Sequence, residues 1–263
     1  MVKILFVGDL FAKPGKYLAS QFIPRLIEER GIDFCIVNGE NAAGGYGLTQ
    51  NIATKIFSYG VDVITTGNHI WDRNDADELL ENESERILRP ANYPPSVAGH
   101  GATVVQSRKG LKVGVMNLQG RIFMKPIDCP FRSADANLDW MRKQTRVVIV
   151  DFHAEATAEK LGLGWYLDGK VSAVLGTHTH IMTADERILP KGTAYITDVG
   201  MTGPYDSIIG MRVGPSLHRI RFQTPCRFSP AETGLKFAAV ILEVNEKTGG
   251  ALSIERILED GDV

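Results

Sequence analysis

Three short apolar runs near the amino terminus, Lys3–Val7, Asp33–Val37 and Val61–Thr66, are each followed by a stretch with helical apolar spacing. The helical stretches run to about Arg30, from about Thr49, and near Asn74–Glu81. This βαβ rhythm restricts the first half to an α/β fold with parallel strands. Further strands are predicted at Thr103–Gln106, Lys112–Asn117, Arg146–Asp151, Val171–Leu175, Ala194–Thr197, Phe237–Val244 and Leu252–Ile257. The last two read as a hairpin across Asn245–Gly250. Pro24 lies inside the first predicted helix, which should kink there or start late. Pro90–Pro95 and the glycine-rich Gly200–Gly214 read as loops, the second long enough to be functional. With 44% hydrophobic residues and no repeat or linker, residues 1–263 are expected to fold as a single domain.

Charge excludes some partners. The chain carries 29 basic and 31 acidic residues, so composition gives no basic face that would by itself attract nucleic acid. An anionic substrate must therefore be attracted locally. Gly8-Asp9 cuts the first apolar run too short for a secretory leader, and no stretch is long and apolar enough to span a bilayer. Cys35, Cys129 and Cys226 are odd in number and widely spaced, which argues against a disulfide framework or a thiolate zinc site. These readings together place the chain in a reducing cytoplasm.

Polar residues mark the ends of five predicted strands. Asp9 follows the first, Glu40 and Asn41 the second, Asn68 and His69 the third, His153 the Arg146–Asp151 run, and His178 with His180 the Val171–Leu175 run. Open α/β sheets bind ligands outside the carboxyl ends of their strands, so all five groups can meet in one crevice. In an extended backbone His178 and His180 would point to one side, roughly 7 Å apart at Cα, as a claw for metal ions. Each group also has an ordinary reading: Asp9 or Asn68 as a helix cap, His153 as a hydrogen-bonded core histidine, Gly44–Gly47 as a tight turn. All of those readings would have to hold at once. Neither a Walker A motif nor G-x-G-x-x-G is present, and the glycines are better explained as bringing Glu40 and Asn41 close to ions.

In order, "GDL" at 8–10, "NGEN" at 38–41, "TGNHIWD" at 66–72, "DFHAE" at 151–155 and "GTHTH" at 176–180 resemble the calcineurin-like metallophosphoesterase superfamily. The longer blocks "NGENAAGGYGLT", "DFHAEATAEKLG" and the stretch from Gly176 to Met211 resemble its bacterial YmdB-like branch. That resemblance implies a four-layer α/β/β/α sandwich with mixed sheets and phosphodiesterase activity that includes 2′,3′-cyclic nucleotides. It also implies two divalent or mixed-valence metal ions, iron first and manganese second. By position, Asp9 and His180 would hold one metal, Asn68, His153 and His178 the other, Glu40 would bridge them, and His69 would be the proton donor. RNA as a substrate and self-association are further expectations.

Two departures from the superfamily matter. Its usual histidine at position 11 is Phe11 here, and its bridging aspartate is Glu40. The amide oxygen of Asn41 is the expected replacement ligand, which makes that site harder and turns its preference toward iron or manganese. Asp72 is the candidate to orient His69, since Ile70 stands where an acidic residue usually follows. Two divalent ions less two carboxylates and a hydroxide leave a small positive excess, which suits a phosphodiester monoanion.

Substrate-contact candidates are Lys13, Tyr46 and Thr202–Asp206. Tyr46 or Tyr205 would stack on a base or else pack its own loop. Trp71 reads as a wall residue, and His100 and His218 as ordinary histidines. An amidohydrolase would carry H-x-H on its first strand, which this chain does not. The stronger rival is a metal-loaded nucleotide-binding regulator with incidental hydrolysis.

Overall fold

The structure, a computed structural model, describes residues 1–261. Strands are numbered along the chain. The first sheet has eight: β1 (Val2–Val7), β2 (Asp9–Leu10), β3 (Phe34–Asn38), β4 (Val63–Thr65), β5 (Ile87–Leu88), β12 (Met201–Pro204), β13 (Leu235–Val244) and β14 (Ala251–Asp260). Their order is β2-β12-β13-β1-β3-β4-β5, with β14 paired to β13. The second sheet has six: β6 (Ala102–Gln106), β7 (Lys112–Gln119), β8 (Val148–His153), β9 (Ala173–Thr177), β10 (Arg187–Ile188) and β11 (Ala194–Ile196), in the order β10-β11-β9-β8-β7-β6. The parallel run β7-β8-β9-β11 is flanked on both sides by antiparallel pairs, whereas β1-β3-β4-β5 has antiparallel β13 on one side only, and β13 in turn pairs antiparallel with β12 and β14.

Period-two alternation in the buried strands explains the layering. On β1, Leu5 and Val7 face Leu18, Phe22 and Ile23 of α1 (Ala12–Arg30), in a core shared with α2 (Gln50–Ser58) and α3 (Ala76–Asn82). The alternate residues Val2, Ile4 and Phe6 face Val113, Val115, Ile149 and Leu175 of the second sheet. That sheet's other face packs Met116, Val148, Val150 and Phe152 against α4 (Pro130–Met141) and α5 (Thr157–Leu167). The result is the α/β/β/α sandwich, with each fully buried Leu, Ile, Val or Phe contributing about 1.5–3 kcal/mol. A last helix, α6 (Val213–Phe222), lies after β12.

Several boundaries differ from the sequence reading. The first helix does not start late: it begins at Ala12, carries Pro24 inside it, runs to Arg30 as expected and ends on Gly31, whose φ of 63° suits a left-handed cap. Strands β8 and β9 lie two residues further along than expected, ending at His153 and Thr177. Polar Asp151 and His153 stay in the ladder, opposite Asn117 and Gln119, because their side chains find buried partners. The glycine-rich segment after Gly200 is not all loop. Met201 and Thr202 pair with Asp9 and Leu10, and Gly203 with Lys236, a backbone pairing that leaves no apolar period to detect. Among the described residues, no helix is long and apolar enough to cross a membrane.

Candidate metal centre

The carboxyl ends of the parallel strands of both sheets open on the same side, and polar side chains join the sheets just below it. Asp151 on β8 accepts hydrogen bonds from Asn38 Nδ2 (2.9 Å) and Thr65 Oγ1 (2.5 Å) of the first sheet. Thr177 Oγ1 on β9 donates to the other carboxylate oxygen at 2.7 Å. Having given its proton to Asp151, the Thr177 hydroxyl accepts from His153 Nδ1, 2.8 Å away. This chain fixes the His153 ring with Nδ1 protonated and Nε2 turned to the centre, the arrangement typical of a ligating imidazole. Sequence reading missed Asn38, Thr65, Asp151 and Thr177. The available signal was Asp151, two residues before His153 and so on the same strand face.

His153 Nε2 lies 2.9 Å from Glu40 Oε1 and 3.0 Å from His178 Nδ1. Among the described residues, Glu40, His153 and His178 offer ligand atoms all within 4.8 Å of one another. Asp9 joins them: its Oδ2 accepts the backbone N–H of His178 at 3.1 Å, and its Oδ1 lies 3.8 Å from His153 Nδ1. The backbone N–H of His69 donates to Glu40 Oε2 at 3.1 Å. Gly67 is required for close approach, since a Cβ there would meet the His153 ring and the Glu40 carboxylate at under 3.0 Å. Asn41 and Asn68 flank the cluster in sequence, next to Glu40 and His69. His180 turns its Nδ1 to the Ile209 carbonyl (3.0 Å), leaving Nε2 without a protein partner.

The histidine pair is not an extended claw. Strand β9 ends at Thr177, and His178 (φ 99°) and His180 (φ 65°) both adopt left-handed backbone. For residues other than glycine this costs about 1–3 kcal/mol each and persists only where surrounding contacts enforce it.

The donor set passes a direct test for cations. Among the described residues, Asp9 Oδ1, Asn41 Oδ1 and Asn68 Oδ1 are buried without a hydrogen-bond partner, and Glu40 Oε1 has only the His153 imidazole, 2.9 Å away. A buried oxygen without a partner costs about 1–3 kcal/mol. The oxygens of Asp9 and Glu40 lie at the imidazoles of His153 and His178, and a cation there would satisfy them.

Charge is arranged accordingly. Burial disfavours a charged His153, yet Glu40, Asp9 and Asp151 outweigh it and lift its pKa to about 9. Glu40 is raised by burial but pulled to about 2 by His153, with His69 and His178 adding to the effect. Burial raises Asp9 well above the carboxylate range, and Asp198 and Glu40 add to this against the opposing charge of His153. Burial and the nearby His153 charge lower His178 to about 3, and burial lowers His180. Both are thus neutral, as ligands must be.

His69 stands beside the cluster. Its Nδ1 meets Asp72 Oδ2 at 2.7 Å, and the Tyr46 ring packs edge-on at 5.1 Å between centroids. Arg73 holds the Tyr46 loop through the carbonyls of Tyr46 (2.9 Å) and Ala43. Tyr46 and Tyr205 both pack against Phe11, Ala12, Met201 and Met211, so each has at least the packing role. Phe11, standing where the superfamily has a ligand, meets His180 edge-on at 5.7 Å. Lys13, His100 and His218 are exposed, while Trp71 packs edge-on against Tyr93, as a wall residue would.

Comparison with known proteins gives consistent matches along the chain. The family model described as YmdB-like protein matches residues 5–257. A Bacillus subtilis (strain 168) protein named 2′,3′-cyclic-nucleotide 2′-phosphodiesterase is 46% identical over 261 residues, 99% of this chain and 98% of its own. A hypothetical protein from Thermus thermophilus has the same fold at TM-score 0.92 and 41% identity, over 99% of this chain and 100% of the other. A novel phosphatase from Mycoplasma pneumoniae follows at TM-score 0.91 and 33% identity, over 98% and 93%.

Proposed function

The chain belongs to the YmdB-like protein family, and from that premise we propose that it is a metal-dependent phosphodiesterase acting on 2′,3′-cyclic nucleotides, with His69 as general acid. The observation that carries the reading is the cluster of Glu40, His153 and His178 with Asp9 beside it, together with buried oxygens on Asp9, Asn41 and Asn68 that have no hydrogen-bond partner. Asp9, Asn41 and His180 would hold one ion, Asn68, His153 and His178 a second, with Glu40 shared, and iron or manganese is the metal best matched to these donors. When bound, the ions supply positive charge for the phosphate oxygens and acidify water for attack at phosphorus.

The protein's own groups do the rest. Asp151, through Thr177, keeps the proton of His153 on Nδ1, away from the cluster. Asp72 engages His69 Nδ1, so Nε2 is the nitrogen that meets the leaving oxygen and returns a proton to it. A partly exposed acid beside a binding cluster favours turnover over a purely ligand-sensing role.

The test is metal analysis of the freshly purified protein, together with an activity screen over 2′,3′-cyclic nucleotides, linear dinucleotides and phosphomonoesters. Bound iron or manganese and preferential cleavage of the cyclic diesters are expected. An absence of transition metal, with no diester turned over in iron- or manganese-supplemented buffer, would overturn the proposal.

A further inference from the structure

Beneath the histidine loop lies an ion pair that the proposed chemistry does not use. Lys160 on α5 and Asp198, between β11 and β12, are 1% and 0% exposed, with Nζ 2.7 Å from Oδ2. The same Oδ2 accepts the backbone N–H of Thr179 at 3.1 Å and its hydroxyl at 2.7 Å. Oδ1 accepts the N–H of Gly200 at 2.8 Å. One carboxylate therefore grips two segments. Thr179 sits between the two left-handed histidines, and Gly200 accepts the backbone N–H of Asp9 through its carbonyl at 3.0 Å.

Only an ionised carboxylate can accept from four donors at once, and an isolated buried charge is tolerated only with a partner. Lys160 is that partner, placed where the Asp198 charge would otherwise stand uncompensated near Asp9 and Glu40. Its stem also packs against the loop's entry, since a Cβ on Gly176 would meet Lys160 Cδ at 3.2 Å.

We propose that the Lys160–Asp198 pair is a positioning device that holds Thr179, and with it His178 and His180, in the conformation that receives metal. Neither residue reaches the cluster; both act through the loop. This inference rests on the metal-centre reading above. Residues that orient ligands typically account for about 10- to 100-fold in metal affinity.

The experiment uses the full chain and its Lys160→Met, Asp198→Asn and Thr179→Val variants, with Leu163→Ala as control. Leu163 is fully buried on the same helix and bonds nothing in the loop. Manganese affinity is measured by chelator competition, and exchange of the Thr179 amide is followed in metal-stripped protein. Lys160→Met and Asp198→Asn should weaken manganese binding about 10- to 100-fold and deprotect the Thr179 amide. Activity should return toward that of the wild type at saturating manganese. Thr179→Val, which keeps the ion pair and removes one bond, should give a smaller loss in the same direction and serves if the other variants do not fold. Leu163→Ala should lower thermal stability while leaving affinity and Thr179 protection unchanged. Equal effects of Lys160→Met and Leu163→Ala, or unchanged affinity in Lys160→Met, would overturn the positioning role alone. Wild-type protein that binds neither manganese nor ferrous iron would overturn the metal centre and this inference together.

Discussion

Gly67→Ala tests the centre with a single methyl group. The φ of Gly67 is −157°, outside the left-handed region, so what bars a side chain at this position is space. A Cβ would fall under 3.0 Å from His153 Cδ2, His153 Nε2 and Glu40 Oε2 at once. Favourable carbon contacts lie at about 3.5–4.0 Å, so relief requires a shift on the order of 1 Å. The His153 ring cannot easily give way, because its Nδ1 is bonded to Thr177 and its neighbours on both sides are hydrogen-bonded strands. Glu40 must therefore move, or both ligands must. A displacement of that size costs about 100-fold in rate, or about 2.7 kcal/mol of transition-state stabilisation. The assay pairs elemental analysis of the purified variant with kcat/KM for a 2′,3′-cyclic nucleotide, and circular dichroism to check the fold. A folded Gly67→Ala protein that kept its full metal content and acted within about threefold of wild type would refute the geometry on which the site is built.

Other perturbations separate the roles of individual groups. His69→Ala should lower kcat by about 10²- to 10⁴-fold with metal content unchanged, while Asp72→Asn, which only orients His69, should cost on the order of 10-fold; equal metal loss in either variant would argue that His69 is a ligand. Asn41→Ala should remove one of two ions by elemental analysis and Asn41→Asp should retain both, so unchanged stoichiometry in the alanine variant would dismiss Asn41. In metal-stripped protein at pH 7 His153 is charged, because its folded pKa near 9 exceeds the ordinary 6.5. Metal loading should then expel that proton and affinity should rise with pH up to about 9, read by calorimetry in buffers of different ionisation enthalpy. By the same sign, the His153 contribution to metal-free stability is complete below pH 6.5 and lost as pH rises through about 9, which thermal unfolding would report.

The strands that carry the site were legible because parallel, doubly covered strands read as continuous apolar runs, and β1, β3, β8 and β9 all do. Their polar neighbours at the carboxyl ends pointed to the crevice for the same reason. Short pairings such as Ile87–Leu88 and Arg187–Ile188 have no period to detect, and α4, α5 and α6 follow segments where loop signals dominate. The conformation of His178 and His180 was not legible either. Two-residue spacing implies an extended strand, and what overrides it is tertiary: Asp198, 19 residues beyond Thr179, and Lys160 beneath it. The clasp under His153 escaped for a similar cause, since Asn38 and Asp151 are 113 residues apart in sequence.

These hidden residues explain why the visible ones are arranged as they are. Asp9, Glu40, Asp151 and Asp198 are all fully buried, and the buried groups of opposite charge around them are Lys160 and His153. Lys160 is committed to Asp198, and His153 lies against Glu40. Among the described residues Asp9 has no cationic side chain at hydrogen-bond distance, and burial with its acidic neighbours drives its pKa upward. Three of these groups are raised in pKa: Asp9 and His153 at the cluster, and Asp151 beneath it. A divalent ion at the cluster would bring more charge than a proton and satisfy several oxygens at once. A fold selected for stability alone would replace such a cluster with apolar side chains, since buried charges rarely improve on well-packed hydrophobic ones. Asp151 and Asp198 are accounted for by their protein donors, so it is the retention of Asp9 and Glu40 beside the imidazoles that argues for ligand binding, independently of any resemblance to other proteins.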